Sequence, residues 1–72
     1  MLKYKINVMV QLYEKGLYRQ KLRDQKIFGQ GTIKKLAYND PNINAETLDK
    51  LCSLLDLQPG DILEYVEEKE EN

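Results

Sequence analysis

The chain has 72 residues, 42% of them hydrophobic, and contains no histidine and one cysteine, Cys52. A chain this short hides only about 60% of its unfolded surface on folding, which leaves one domain without a deep substrate cavity. A lone cysteine excludes an internal disulfide, the lack of histidine removes the usual zinc ligands, and no apolar run approaches the roughly 20 residues of a membrane span. The net charge of −1 is split very unevenly: residues 1–38 carry nine Lys or Arg against two acids, and residues 39–72 carry two Lys against ten acids. That makes the chain a dipole of net +7 and −8 halves, with a basic end that suits phosphates and an acidic end that repels them.

At the start, Leu2, Tyr4, Ile6, Val8 and Val10 alternate with a strand-like period, whereas Val8, Met9, Leu12 and Tyr13 follow a helical one. A short extended start followed by a helix capped at Asn7 satisfies both patterns. Gly16 ends that helix, because a glycine past the last turn takes up the left-handed conformation easily. The opening "MLKYKINVMV" lacks the uninterrupted apolar core of a secretion signal, so a cytoplasmic location is expected.

A second, polar and basic helix is expected over residues 18–26, with Leu22 as its main apolar residue. Residues 27–29, "IFG", form the connection. From Gln30, "QGTIKKLAY" reads as a third short helix, with Ile33, Leu36 and Ala37 at the spacing of a buried stripe and Lys34, Lys35 and Tyr38 turned away from it. "NDPN", residues 39–42, is a turn signal. Asn44 then caps the clearest helix, "AETLDKLCSLLD", in which Leu48, Leu51, Cys52 and Leu55 repeat at helical spacing; this helix is expected at the centre of the core. Pro59 and Gly60 read as a break, followed by the apolar segment Ile62, Leu63, Tyr65 and Val66. Residues 2–6 and 62–66 fit either helical turns or a pair of edge strands, within one chain or between two. The fold class expected is all-α, a compact bundle of four to five short helices with a possible terminal strand pair. The domain spans residues 1–66, and residues 67–72 form an acidic tail.

Enzyme chemistry fails on inventory: there is no phosphate-binding glycine loop, no nucleophile beside a plausible base, and the acids gather in the tail instead of facing one another. No cofactor, metal or small-molecule effector is implied. Two helices joined by a tight turn, the second short and polar outside, are instead the arrangement that enters a major groove.

At this point the segments "GLYRQKL", "TIKKL" and "NAETLDKLCSLLDLQPGDILEY", in this order over residues 16–66, resemble the Cro/repressor-type, XRE-like helix-turn-helix regulators, in particular small single-domain members with a "PGDILEY"-like ending. The resemblance implies a lambda-repressor-like domain that binds double-stranded DNA, usually as a homodimer on a two-fold operator. It implies that Ile33 and Leu36 are the buried pair of the recognition helix, partnered by Leu22. It places Gln30, Gly31, Thr32 and Lys35 at base-reading positions and Arg19 at a phosphate. The chemistry agrees, since Gln suits adenine, Lys suits guanine, and the Thr methyl suits that of thymine. Lys21, Lys34, Tyr38 and Asn39 are expected on phosphates. Leu2, Tyr4, Ile62, Leu63, Tyr65 and Val66 are the dimer candidates.

Three residues depart from the family pattern. Arg23 stands where a small residue is usual, so either its stem lies along the surface or the two helices separate. Ile27 stands where glycine is usual at the turn; positive φ is unfavourable for a β-branched residue, and Gly29 is the expected left-handed substitute. Gly31 leaves a base-reading position without a side chain. Together they support a second reading, a protein-interaction module that keeps the fold and has lost base reading.

Overall fold

The computed structural model describes residues 1–67; the expected tail, apart from Glu67, lies outside the described residues. In chain order it runs β1 (Leu2–Tyr4), α1 (Val8–Glu14), α2 (Arg19–Asp24), α3 (Gln30–Ala37), α4 (Ala45–Leu55), α5 (Pro59–Ile62) and β2 (Leu63–Tyr65). The helical bundle is as expected, and the undecided terminal segments resolve into an antiparallel ribbon within one chain, with Leu2 opposite Tyr65, Lys3 opposite Glu64 and Tyr4 opposite Leu63.

Helix starts and stops follow backbone chemistry. Asn7 and Asn44 lie in extended conformation, and their side chains accept the N–H groups of Val10 (3.2 Å) and Thr47 (2.8 Å), which caps α1 and α4. At the other ends, α1 to α4 all stop in the same way, on a left-handed residue: Gly16, Lys26, Asn39 and Asp56. In each case the amide of the residue that follows reaches back five residues, from Leu17 to Leu12, Ile27 to Leu22, Asp40 to Lys35 and Leu57 to Cys52, and so satisfies a last-turn carbonyl. Pro59 and Gly60 do not break the chain as expected. Proline's fixed φ and missing N–H suit the first helical position, and the Asp61 carboxylate accepts the Gln58 N–H at 3.0 Å, so the pair opens the one-turn helix α5.

The core is drawn from the whole chain and is not centred on α4: Val8 and Leu12 of α1, Leu22 of α2, Ile33 and Leu36 of α3, Leu51 and Leu55 of α4, Ile62 of α5 and Phe28 from the α2–α3 connection. Phe28, read as part of a linker, is a core residue. The structure also corrects the dimer candidate Ile62, which is 0% exposed and belongs to this core. Tyr4 and Leu63 are half-buried against it. The Tyr4 hydroxyl donates to the Asp40 carbonyl at 2.9 Å, and burial, aided by the Asp40 carboxylate, raises the phenol above its usual range. Leu2 and Tyr65, further out on the ribbon, remain 50% and 71% exposed. Val66 closes the ribbon through its N–H to the Met1 carbonyl at 2.8 Å.

Candidate nucleic-acid interface

Three side chains fix α3 against the rest of the molecule. Ile33 and Leu36 lie one turn apart and are buried, and Leu22 meets them from α2. The opposite side of α3 is thereby turned to solvent, and its exposed residues are Gln30, Gly31, Lys34 and Tyr38, the last 73% exposed. A Cβ on Gly31 would meet nothing within 4 Å, so its lack of a side chain answers no crowding inside the protein.

The turn between α2 and α3 takes a path that the sequence reading missed. Gly29 has φ −71° and ψ 163°, an extended N-cap conformation open to any residue, and the left-handed residue is Lys26 at φ 54°. Helix α2 therefore ends at Asp24, two residues before the expected position. This relieves Ile27 of a positive φ and turns its side chain, with that of Phe28, onto the core. Lys50 of α4 holds the turn from outside: its Nζ donates to the Ile27 carbonyl at 3.1 Å and lies 6.0 Å from the centre of the Phe28 ring. Nothing marks this role in the sequence, because Lys50 stands in the acidic half among residues of a solvated helix face.

Both helices of the pair start without a side-chain cap. Tyr18 precedes α2 and Gly29 precedes α3, and neither side chain accepts a hydrogen bond from the first turn. In contrast to α1 and α4, capped by Asn7 and Asn44, these helices leave their first-turn amides without a side-chain acceptor, and such amides carry partial positive charge. Residues 19–38 add six Lys or Arg against the single acid Asp24.

Not every candidate faces outward alike. Thr32 is half-buried and lines a cavity with Asn44, Thr47 and Lys50 at the start of α4. Lys35 is also half-buried, and its Nζ donates to the Asn42 carbonyl at 2.9 Å, bracing the α3–α4 loop. Asn39 is exposed at the left-handed end of α3, beyond Tyr38. Arg19 and Lys21 are exposed on α2, and Tyr18 beside them packs edge to face on Tyr13 of α1, with ring centres 4.5 Å apart and planes at 67°. Arg23 settles the alternative posed for it: its side chain is 55% exposed with Nε 3.7 Å from the Asp24 carboxylate, so its head lies in water and α2 and α3 remain packed through Leu22 and Ile33. Among the described residues, no helix is long and apolar enough to cross a membrane.

A family model of the Cro/C1-type helix-turn-helix DNA-binding domain matches residues 7–68. No curated protein and no solved structure matches the chain.

Proposed function

Because the chain belongs to the family of Cro/C1-type helix-turn-helix DNA-binding domains, we propose that it is a sequence-specific regulator of transcription, which lays α3 in the major groove of duplex DNA with α2 across the backbone. The observation that carries this reading is the α2–α3 pair itself: two uncapped helix starts on a surface with six cations and one acid, with Gln30, Gly31 and Lys34 exposed. In this arrangement Gln30, Thr32 and Lys35 read base edges, Gly31 lets the backbone come close to them, and Arg19, Lys21, Lys34, Tyr38 and Asn39 hold phosphates. Lys35 exchanges its bond to Asn42 for a base acceptor when DNA arrives. One short helix in one groove gives limited affinity, so the regulator works as a two-fold dimer on half-sites roughly 34 Å apart. The exposed Leu2 and Tyr65 at the outer end of the ribbon are the residues available for the dimer contact.

Selection of duplexes from a random library by the purified protein, followed by binding to the enriched sequences at two salt concentrations, tests the reading. A two-fold motif whose binding is lost in Gln30→Ala and Lys35→Ala variants that keep their helical circular dichroism supports a regulator. Weak, steeply salt-dependent binding without enrichment refutes base reading. It favours the second reading, a protein-interaction module, whose observation is the bare, exposed Gly31 in the first turn of α3.

A further inference from the structure

Arg19, Arg23, Gln30, Ile33 and Lys34 line one cleft between α2 and α3. Arg19 and Arg23 stand one turn apart on α2, and Gln30 and Lys34 stand one turn apart on α3. Ile33, buried in the core, forms the floor between them. Three cations and an amide thus converge from two elements on one small space. Like charges one turn apart weaken a helix, so the pairing of Arg19 with Arg23 works against α2 unless an anion sits between them. The one acid in contact, Asp24, touches Arg23 through Nε at 3.7 Å, and among the described residues the terminal nitrogens of Arg23 donate to nothing.

We infer that this cleft is a phosphate clamp, in which Arg23 and Arg19 on one wall and Lys34 on the other hold a single phosphodiester of the DNA backbone, while Gln30 at its edge stays free to reach a base. Arginine at position 23 is what turns a surface groove into a site. Its planar fork offers two parallel N–H donors to two phosphate oxygens, a geometry that lysine lacks, and its exposed head can swing from Asp24 to the anion at little cost. A phosphate seated between α2 and α3 fixes the tilt of α3 in the groove without reading sequence, so Arg23 sets register and affinity on every sequence alike.

The inference rests on the DNA-binding reading, and its test separates the two. Binding to an enriched duplex and to a scrambled one is measured between about 50 and 200 mM salt for the wild type, Arg23→Gln, Arg23→Lys and Lys3→Gln, with thermal melts of each. Loss of one phosphate contact lowers the slope of log affinity against log salt by about 0.9, so over this range Arg23→Gln loses roughly 3-fold less affinity than the wild type does. The drop in slope is the same on both duplexes; Arg23→Lys, which keeps the charge and lacks the fork, restores the slope but binds both duplexes more weakly than the wild type, and Lys3→Gln, which removes a charge on β1 outside the cleft, leaves the slope unchanged. Should Arg23→Gln melt early, Lys34→Gln probes the same clamp from α3. A folded Arg23→Gln with the wild-type slope overturns the clamp and leaves the regulator standing, as does a Lys3→Gln that lowers the slope equally. A wild type that binds neither duplex overturns the regulator and the clamp together.

Discussion

Lys26 is the most instructive residue to replace. It is the left-handed residue that ends α2, at φ 54°, and the two hydrogen bonds that stop the helix, from Lys26 to Arg23 (3.1 Å) and from Ile27 to Leu22 (2.9 Å), require that conformation. The left-handed region costs a residue with a Cβ about 1–2 kcal/mol. Glycine avoids that cost and gives back about 0.5–1 kcal/mol in the entropy of its freer unfolded chain. On backbone grounds alone glycine is therefore favoured over a residue with a Cβ at this position by about 0.5–1 kcal/mol, or about 2–8 °C in Tm for a domain of this size. A lysine at a helix C-terminus also favours the dipole by about 0.3–1 kcal/mol, so the comparison that isolates the backbone is with Lys26→Ala, which loses the charge and keeps the Cβ. Melting curves followed by circular dichroism should place Lys26→Gly above Lys26→Ala by the full backbone difference. Gly16→Ala is the mirror experiment: at φ 77° with nothing within 4 Å of the new Cβ, it should lose stability for backbone reasons alone. A Lys26→Gly protein no more stable than Lys26→Ala would refute the left-handed turn and return the positive φ to another residue.

Three further outcomes are expected. Asn7→Ala and Asn44→Ala should each cost about 1 kcal/mol in urea unfolding and, sitting on separate helices with no shared partner, should add in the double variant. Phe28→Ala, at a residue 5% exposed, should cost about 3–5 kcal/mol, most of the stability of a domain whose total is on the order of 4–11 kcal/mol; a far-ultraviolet spectrum unchanged at 37 °C would argue that Phe28 is a surface residue. Tyr4 has its phenol pKa raised in the folded state, by burial first and by Asp40 second. Above its ordinary value, at about pH 10, the unfolded state sheds this proton before the folded state does, so stability falls as pH rises. Tyr4→Phe removes that part of the alkaline loss and, near neutral pH, costs about 1 kcal/mol through the lost hydrogen bond to Asp40; a denaturation series from pH 7 to 11 reads both.

Much of this architecture was legible because short-range chemistry and tertiary packing agree. Asn7, Gly16 and Asn44 announce helix ends whose caps involve only near neighbours, and the Ile33–Leu36 stripe orients α3 without help from elsewhere. Legibility failed where a distant partner decides. Leu2 and Tyr4 carry a strand period of only three residues, and it is β2, more than fifty residues away in sequence, that makes them a strand. Phe28 sits among turn residues, and only the meeting of four helices gives it a core to enter. Lys26 carries no signal for positive φ, unlike Asn39 and Asp56, whose short polar side chains tolerate it; the chain places its strain there because moving it one residue on would impose it on a β-branched isoleucine. The candidate interface was legible in outline and not in detail. The run of basic residues located the surface, but Lys35 is half-buried and engaged with Asn42, and Arg23 joins Arg19 and Lys34 across a cleft that no spacing within α2 reveals.

The terminal ribbon has a kinetic consequence. Each helix and its stop closes over at most a few residues, and neighbouring helices are joined by short connections, so most of the molecule can assemble from local encounters on fast timescales. Joining Leu2 to Tyr65 instead closes a loop that takes in nearly the whole chain, at an entropic cost of roughly 4 kcal/mol for a flexible chain of that length. Once the helices are in place, most of that cost has already been met, because Ile6 and Ile62 deliver both strands to the same edge of the core. The ribbon is therefore a late event in folding and an early one in unfolding. It reports whether the helices between its strands have assembled, and a surface built on its outer end exists only in molecules that have finished folding.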